Sequence, residues 1–337
     1  HHGDLGVGVR PHGRRVRRGK SPGPDAGHQQ PLTKEGDEAD QAVAEAGKRT
    51  VSRRDLARHD NFEQVSPEVG ELDESAVDEQ MQENPDEMLG MLADLTGATD
   101  PKLRDLARRL AGRLMIDIAN RGRSRPRGIG RMEEQPYRPD AGDIDIDASL
   151  DALNELRHGV APDEQGLRIR GWRKPGTALC LLVDRSGSMG GKPLATSAVA
   201  AAAVASRNPD DYSVLAFGKD VVVAKSQDVP KPAEKVVNDV LTLRGFGTTD
   251  LAGALKVANQ QLLRSRAGRR VAVLLSDCRA TVEGDVESAA SAVEELVIVA
   301  PVDDHDEARA LAGRVGARLV LIGGPSEVPE ALARALE

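Results

Sequence analysis

Residues 176–337 are predicted to fold as an α/β domain, a mostly parallel six-stranded sheet wrapped by helices. Two observations carry the prediction. Apolar runs of strand length alternate with amphipathic runs from residue 177 onward. They place strands at 178–183, 212–217, 221–224, 270–276, 296–300 and 318–322. Helices fall near 192–206, 231–241, 250–264, 285–294, 305–314 and 327–336. The second observation is the tight connection Gly218-Lys219-Asp220, which makes the second and third strands an antiparallel hairpin. The other strands need helical crossovers and should run parallel.

Upstream of the sheet the composition changes along the chain. Residues 1–80 are expected to be a largely disordered, charged low-complexity region. Residues 1–60 in particular are rich in Gly, Pro, Arg and charge, with a weak helix over 37–47. A segment of that kind buries too little apolar surface to offset its ordering entropy. A helical acidic-then-basic segment follows over 81–131. Residues 61–100 hold twelve acids and no Lys or Arg, whereas 102–131 hold ten Lys or Arg against Asp105 and Asp117.

Asn84-Pro85-Asp86-Glu87 offers a cap, a proline at the first helical position and acids in the first turn. Asp100-Pro101 opens a second helix on the same logic. Leu103, Leu106, Leu110, Leu114 and Ile118 form one apolar stripe along it, with Arg104, Arg108 and Arg109 off the stripe. Such a stripe packs the two helices together or onto the C-terminal domain; a docking helix for a partner is the other reading. Arg121-Gly122-Arg123-Ser124-Arg125-Pro126-Arg127-Gly128 reads as a solvated linker, since no aromatics interleave the arginines to stack on bases. Residues 132–175 form a linker with one short helix around 148–157, and Leu167-Arg168-Ile169-Arg170 alternates like an edge strand.

Three Phe, two Tyr and one Trp leave the core to Val, Leu, Ile and Ala. A net charge of −8 argues against a general nucleic-acid binder. Cys180 and Cys278 form no Cys-x-x-Cys and no disulfide framework, which favours a reducing, cytoplasmic setting. No apolar run approaches the roughly 20 residues of a membrane span, and no signal-peptide pattern is present. The seven histidines show no ligand spacing, and His305 reads as a surface residue at an acid-rich helix start.

The stretch with the most chemistry is Asp184-Arg185-Ser186-Gly187-Ser188, directly after the apolar run 178–183. Asp184, Ser186 and Ser188 occupy alternating positions and can converge above the strand end. They are hard oxygen donors, suited to Mg²⁺ or Mn²⁺ and poorly suited to Zn²⁺. Thr249 lies in Gly245-Phe246-Gly247-Thr248-Thr249-Asp250 just before a helix, and Asp277 follows the strand 270–276. Ligands of open parallel sheets gather at the carboxyl ends of strands, so these separated donors fall on one side.

Asp-x-Ser-x-Ser, the later Thr in a Gly-rich loop and the later Asp after an apolar strand resemble the metal-ion-dependent adhesion site of the von Willebrand factor A (VWA) family, over roughly residues 176–337. The resemblance implies a doubly wound, Rossmann-like sheet with one antiparallel edge strand. It also implies Asp184, Ser186, Ser188, Thr249 and Asp277 as ligands of Mg²⁺ (or Mn²⁺), with a vacant position for an Asp or Glu of a protein partner. Two positions depart from the pattern: Cys278 stands where a Gly is usual, and the loop before Thr249 makes Thr248 an alternative donor.

The arrangement further resembles bacterial proteins related to the magnesium chelatase D subunit and to the VWA partners of MoxR-type AAA+ ATPases. That implies an intracellular interaction module with an AAA+ ATPase partner, acting in complex assembly or metal insertion. A magnesium chelatase D-like subunit itself is an alternative, disfavoured because no ATPase-like N-terminal domain is recognisable. A Mg-dependent phosphatase-like enzyme is another. Its second Asp would fall at Ser186, Ser188 lies outside a Gly-x-Ser-x-Gly elbow, and no phosphate loop is present, so no catalysis is expected. RNA binding through the 121–131 arginines is a third, opposed by the acidic balance.

Overall fold

The computed structural model describes residues 32–121, 131–137, 143–157, 166–173, 176–185, 190–245 and 247–337. The expectations for residues 1–31, for Arg123, Arg125 and Arg127, and for Ser186 and Ser188 lie outside the described residues. In chain order the N-terminal elements are β1 (Thr33–Lys34), α1 (Asp37–Ala46), α2 (Arg53–Leu56), α3 (Phe62–Val65), α4 (Glu74–Glu83), α5 (Pro85–Leu95) and α6 (Pro101–Arg121). Next come β2 (Arg131–Pro136), β3 (Asp143–Ile144), α7 (Leu150–Arg157) and β4 (Arg168–Arg173). The remainder is β5 (Thr177–Asp184), α8 (Gly191–Arg207), β6 (Tyr212–Phe217), β7 (Val221–Lys225), α9 (Ala233–Thr242), α10 (Leu251–Leu263), β8 (Arg269–Leu275), α11 (Val286–Ser291), β9 (Glu295–Pro301), α12 (Asp306–Val315), β10 (Arg318–Ile322) and α13 (Val328–Leu336).

The main sheet runs β1-β7-β6-β5-β8-β9-β10. Only the hairpin pair β6–β7 is antiparallel. The doubly wound α/β sheet is thus as expected, but it has seven strands. The seventh, β1, seats beside β7 in parallel, with Thr33 opposite Val221 and Lys34 opposite Val222. It comes from a segment expected to be disordered. Two residues leave no alternation to read, and what holds them is non-local. Lys34 pairs with Asp220 at 2.5 Å, and the Glu35 carboxylate accepts from Arg264, from Ser226 (2.6 Å) and from Gln261 (3.2 Å).

The Arg264 hydrogen bond, against the opposing effect of burial and with help from Ser226 and Gln261, holds the Glu35 carboxyl down at about 2. A lowered folded-state value contributes stability above the ordinary 4.5 and loses it as pH falls toward 2. The amide of Val221, which donates to the Leu32 carbonyl at 2.9 Å, is therefore expected to lose hydrogen-exchange protection over that window. Glu35→Gln should show the loss already at pH 7. Equal protection of wild type at pH 3 and pH 7 would exclude this anchor.

Alternation along β5 sorts the core onto two faces. Leu179, Leu181 and Val183 pack with α8, α9 and α13, whereas Ala178, Cys180 and Leu182 pack with α10, α11 and α12. The Ala-rich α8 is buried from Leu194 to Ala205 apart from the half-buried Thr196, with no water-facing stripe between them. A helix buried all round has neighbours on both sides: the sheet lies beneath α8, and α5 and α6 lie across its outer face. The amphipathic pair thus packs on the C-terminal half. The buried line of α6 is Leu103, Ala107, Leu110, Ala111 and Met115, while Leu106, Leu114 and Ile118 flank it half-buried. Small residues win the contact line because they let two helices approach closely.

Residues 50–80 are also folded where disorder was expected. Leu56, Phe62, Val65 and Val77 are buried, and α2 and α4 rest against α5 while α3 rests on α4. Single apolar residues among acids carry no period, so only the tertiary contact reveals them. Asn84 begins α5 without a side-chain cap, whereas the Asp100 carboxylate accepts from the Leu103 amide at 2.7 Å. A second, antiparallel sheet has the order β2-β4-β3. β4, which read as an edge, is its central strand, because its partners β2 and β3 are too polar or too short to be seen in the sequence. Among the described residues no helix is long and apolar enough to cross a membrane.

Candidate metal centre

Three loops meet at the carboxyl ends of β5, β6 and β8, and each pair of them is in direct contact. β5 and β8 are parallel neighbours in register up to Val183 opposite Leu275. This brings Asp184 beside Ser276, whose hydroxyl donates to Asp184 Oδ2 at 2.6 Å. Both residues are buried. In the loop before α10, Thr249 is clamped to the loop after β8. Its amide donates to Thr281 Oγ1 at 2.7 Å, and its carbonyl accepts from the amides of Thr281 and Val282, both at 3.2 Å. The first and second loops touch at Gly245. A Cβ there would stand 1.8 Å from the Arg185 carbonyl oxygen, so only glycine permits the approach.

Of the five expected ligands, Asp184, Thr249 and Asp277 are thus drawn onto three interlocked loops, and Ser186 and Ser188 lie outside the described residues. Thr249 is fully buried, and its Oγ1 has no hydrogen-bond partner among the described residues. Thr248 is exposed instead. Asp277 is half-buried, and its Oδ1 accepts from the Arg279 amide at 2.9 Å. Among the described residues no group of three His, Cys, Asp or Glu is arranged to hold a metal. Metal binding would therefore draw on hydroxyl oxygens as well as carboxylates. A carboxylate pair with a buried, unpartnered hydroxyl fits a hard divalent cation. His305 lies elsewhere, with its Nδ1 2.7 Å from the Val302 carbonyl at the start of α12.

Cys278 has φ +64°, the left-handed region that favours glycine. Its amide donates to Ser276 Oγ at 2.9 Å, which holds the turn closed. Burial first, then the carboxylates of Asp277, Asp184 and Glu307, push its thiol up to about 12, so it stays protonated at neutral pH. Left-handed backbone costs about 1–2 kcal/mol at a non-glycine residue, and a buried thiol of this size recovers a similar amount. Cys278→Gly is accordingly expected to shift stability by less than about 1 kcal/mol, the two effects offsetting. Cys278→Val, β-branched in the same backbone, should cost clearly more. Urea unfolding in EDTA checks this; equal midpoints for the two variants would contradict it.

A second polar cluster ties these loops to the N-terminal helices. Asp94, near the end of α5, accepts from the Gly191 amide at 2.9 Å, contacts His59 Nε2 at 3.1 Å and pairs with Arg244 at 3.2 Å. Arg244 also donates to the carbonyls of Ala93 (2.7 Å) and Asp94 (3.0 Å). Gly191 opens α8 just after the Asp184 loop, and Arg244 precedes Gly245 in the Thr249 loop. Burial alone would raise the Asp94 carboxyl. The hydrogen bonds from His59 and Gly191 and the charge of Arg244 outweigh it and hold the group below its ordinary range. The sequence pointed to none of Ser276, Asp94, Arg244 or Gly245. Only Ser276 carried a signal, as a hydroxyl at a strand end next to Asp277.

A family model described as VWA domain containing CoxE-like protein matches residues 114–332, more than half of the chain. The chain belongs to this family. The CoxE-like VWA match begins inside α6, upstream of the strand at which the VWA resemblance starts in the sequence. No curated protein matches the chain significantly. Solved structures that align with it include proximal thread matrix protein 1 from the mussel byssus, at 13% identity over 47% of this chain and 46% of that one, TM-score 0.36. A von Willebrand factor type A protein from Catenulispora acidiphila aligns at 15% identity over 49% of this chain and 42% of that one, TM-score 0.37. The manganese-loaded TRAP protein of Plasmodium vivax aligns at 16% identity over 47% and 72%, TM-score 0.37. The chain spans less than half the length of the first two.

Proposed function

We propose that this CoxE-like VWA chain is a metal-dependent protein-interaction module, non-catalytic and cytoplasmic. In this reading Asp184, Ser186, Ser188, Thr249 and Asp277 hold Mg²⁺ (or Mn²⁺), and an Asp or Glu of a protein partner completes the shell. The observation that carries it is the Thr249 hydroxyl, buried without a partner among the described residues, on a loop locked to those bearing Asp184 and Asp277. Such orphans are uncommon in folded proteins, and a bound ion is one of the partners that satisfies them. Mg²⁺ prefers six oxygens in octahedral array. When bound, it supplies a positive charge that only two carboxylates oppose, and so an attraction for a third.

The chain's own residues do the positioning. Ser276 fixes the Asp184 carboxylate by donating to Oδ2, and the Arg279 amide fixes Asp277 through Oδ1. Gly245 lets the Thr249 loop close against Arg185. The partner we infer is an AAA+ ATPase of the MoxR or magnesium-chelatase type, with the chain recruiting a client for complex assembly or metal insertion. Titration with Mn²⁺, followed by the loss of the free-ion electron paramagnetic resonance signal, tests the site. One saturable ion per chain, displaced by Mg²⁺, is expected; the absence of saturable binding would refute the metal reading. Capture of the co-expressed ATPase with Mg²⁺ but not with EDTA tests the partner.

A further inference from the structure

We propose that a cationic cavity beside the metal centre is a second anchor for the partner, receiving a further acidic side chain from the same peptide stretch that offers a carboxylate to the metal. The first contact rests on the metal-dependent reading above; the second does not.

The cavity, of about 700 Å³, lies between α1 and the loops at the carboxyl end of the sheet. Its volume is in the range that encloses a small ligand or a few side chains. Lys34, Arg49, Arg185, Lys219 and Arg244 line it, against the carboxylates of Glu45 and Asp220 alone. That excess of positive charge stands out in a chain of net charge −8. Asp94, outside the lining, pairs with Arg244, and the two lining acids offset part of the rest, which leaves a smaller positive excess. Asp220 is shared between Lys34 (2.5 Å) and Arg185 (2.8 Å), and Glu45 is engaged by Lys48 (2.5 Å), which does not line the cavity. Arg185 Nε is buried with no partner among the described residues. Lys219 is exposed at the hairpin tip.

Placement links the cavity to the metal centre. Arg185 directly follows Asp184, and Thr248 directly precedes Thr249. The cavity lining and the proposed ligands therefore share two loops, so one acidic peptide stretch is expected to reach both. Leu32, Ala42, Ala46 and Val222 supply apolar lining. The methylenes of a Glu side chain cover such a lining, and a bare inorganic anion does not. Two linked contacts bind more tightly than either alone because the second is intramolecular.

The test uses the full chain and fluorescein-labelled hexaglutamate, with hexaglutamine as the neutral control, read by anisotropy with Mg²⁺ or EDTA. Wild type should bind hexaglutamate and not hexaglutamine, most tightly with Mg²⁺. The double variant Arg49→Glu/Lys219→Glu should bind at least about tenfold more weakly, a loss of about 1.4 kcal/mol, with Mn²⁺ affinity unchanged. Both sites are exposed, and Arg49→Ala/Lys219→Ala repeats the measurement should the reversed charges disturb folding. Asp184→Ala should lose the Mg²⁺-dependent part and keep a charge-dependent remainder. Hexaglutamate binding unchanged in both double variants overturns the proposal. So does displacement of hexaglutamate by inorganic phosphate at lower concentration than by unlabelled hexaglutamate, which would assign the cavity to small anions. If wild type binds no Mn²⁺ yet charge reversal still weakens hexaglutamate, the metal reading fails and the cavity stands.

Discussion

Asp184→Ala is expected to weaken Mn²⁺ and Mg²⁺ binding by more than about 100-fold, beyond the ~10–100-fold typical when only an outer partner of a ligand is lost. The side chain is buried at the end of β5, where Ser276 donates to it at 2.6 Å. No other carboxylate on the described loops occupies that strand end. Removing it leaves the Ser276 hydroxyl without its acceptor, which costs about 1–3 kcal/mol. Loss of one of the two carboxylates that flank Cys278 offsets part of that. Cooperative urea unfolding in EDTA should therefore persist with a modestly lowered midpoint. Ser276→Ala is the graded control, expected to weaken metal binding by about 10–100-fold as an outer partner. Wild-type Mn²⁺ affinity in Asp184→Ala would show that the ion, if any, sits elsewhere.

Asp94→Ala is expected to cost about 3 kcal/mol in stability, the low end of breaking a buried charge pair. The side chains of Asp94 and Arg244 are only 18% and 14% exposed, so the guanidinium left behind is poorly solvated. Its bonds to the Ala93 and Asp94 carbonyls survive and keep the loss from being larger. The variant also frees the Gly191 amide and the Arg244 loop together, so metal affinity should fall although Asp94 lies outside the proposed ligand set. Asp94→Asn keeps the shape and an acceptor for Gly191 but removes the charge, and should lie between wild type and Ala. Because the folded-state Asp94 carboxyl lies below its ordinary 3.8, the latch holds fully above that pH and fades as pH falls below it. Urea midpoints and Mn²⁺ titrations on the same samples check both effects. A stability loss with unchanged Mn²⁺ affinity would reduce Asp94 to a packing residue.

The strands and helices of the C-terminal half were legible because each has a clear period. β6 and β10 match their predicted bounds, and β5 gains a residue at each end. Asp184, Thr249 and Asp277 were legible for a related reason: a polar donor directly after a buried strand, or before a helix, has few places to point. β1, α2, α3 and the role of Asp94 within its predicted helix were not legible. Leu56, Phe62 and Val65 stand singly among charges, and Asp94 is one acid among twelve in its stretch.

By itself the sequence determined a mostly parallel α/β sheet with an antiparallel hairpin, an amphipathic helix pair before it, and oxygen donors at the sheet's carboxyl end. Those follow from local hydrophobic period and from connection length, which need no partner to be read. Tertiary structure alone decided that the helix pair lies across α8, that β1 extends the sheet, and that Asp94 and Arg244 bind the helical layer to the loops of the candidate metal centre. Those contacts join residues up to 229 positions apart, as in Glu35 with Arg264. A single charge or a lone leucine acquires its meaning only from what the folded chain sets against it.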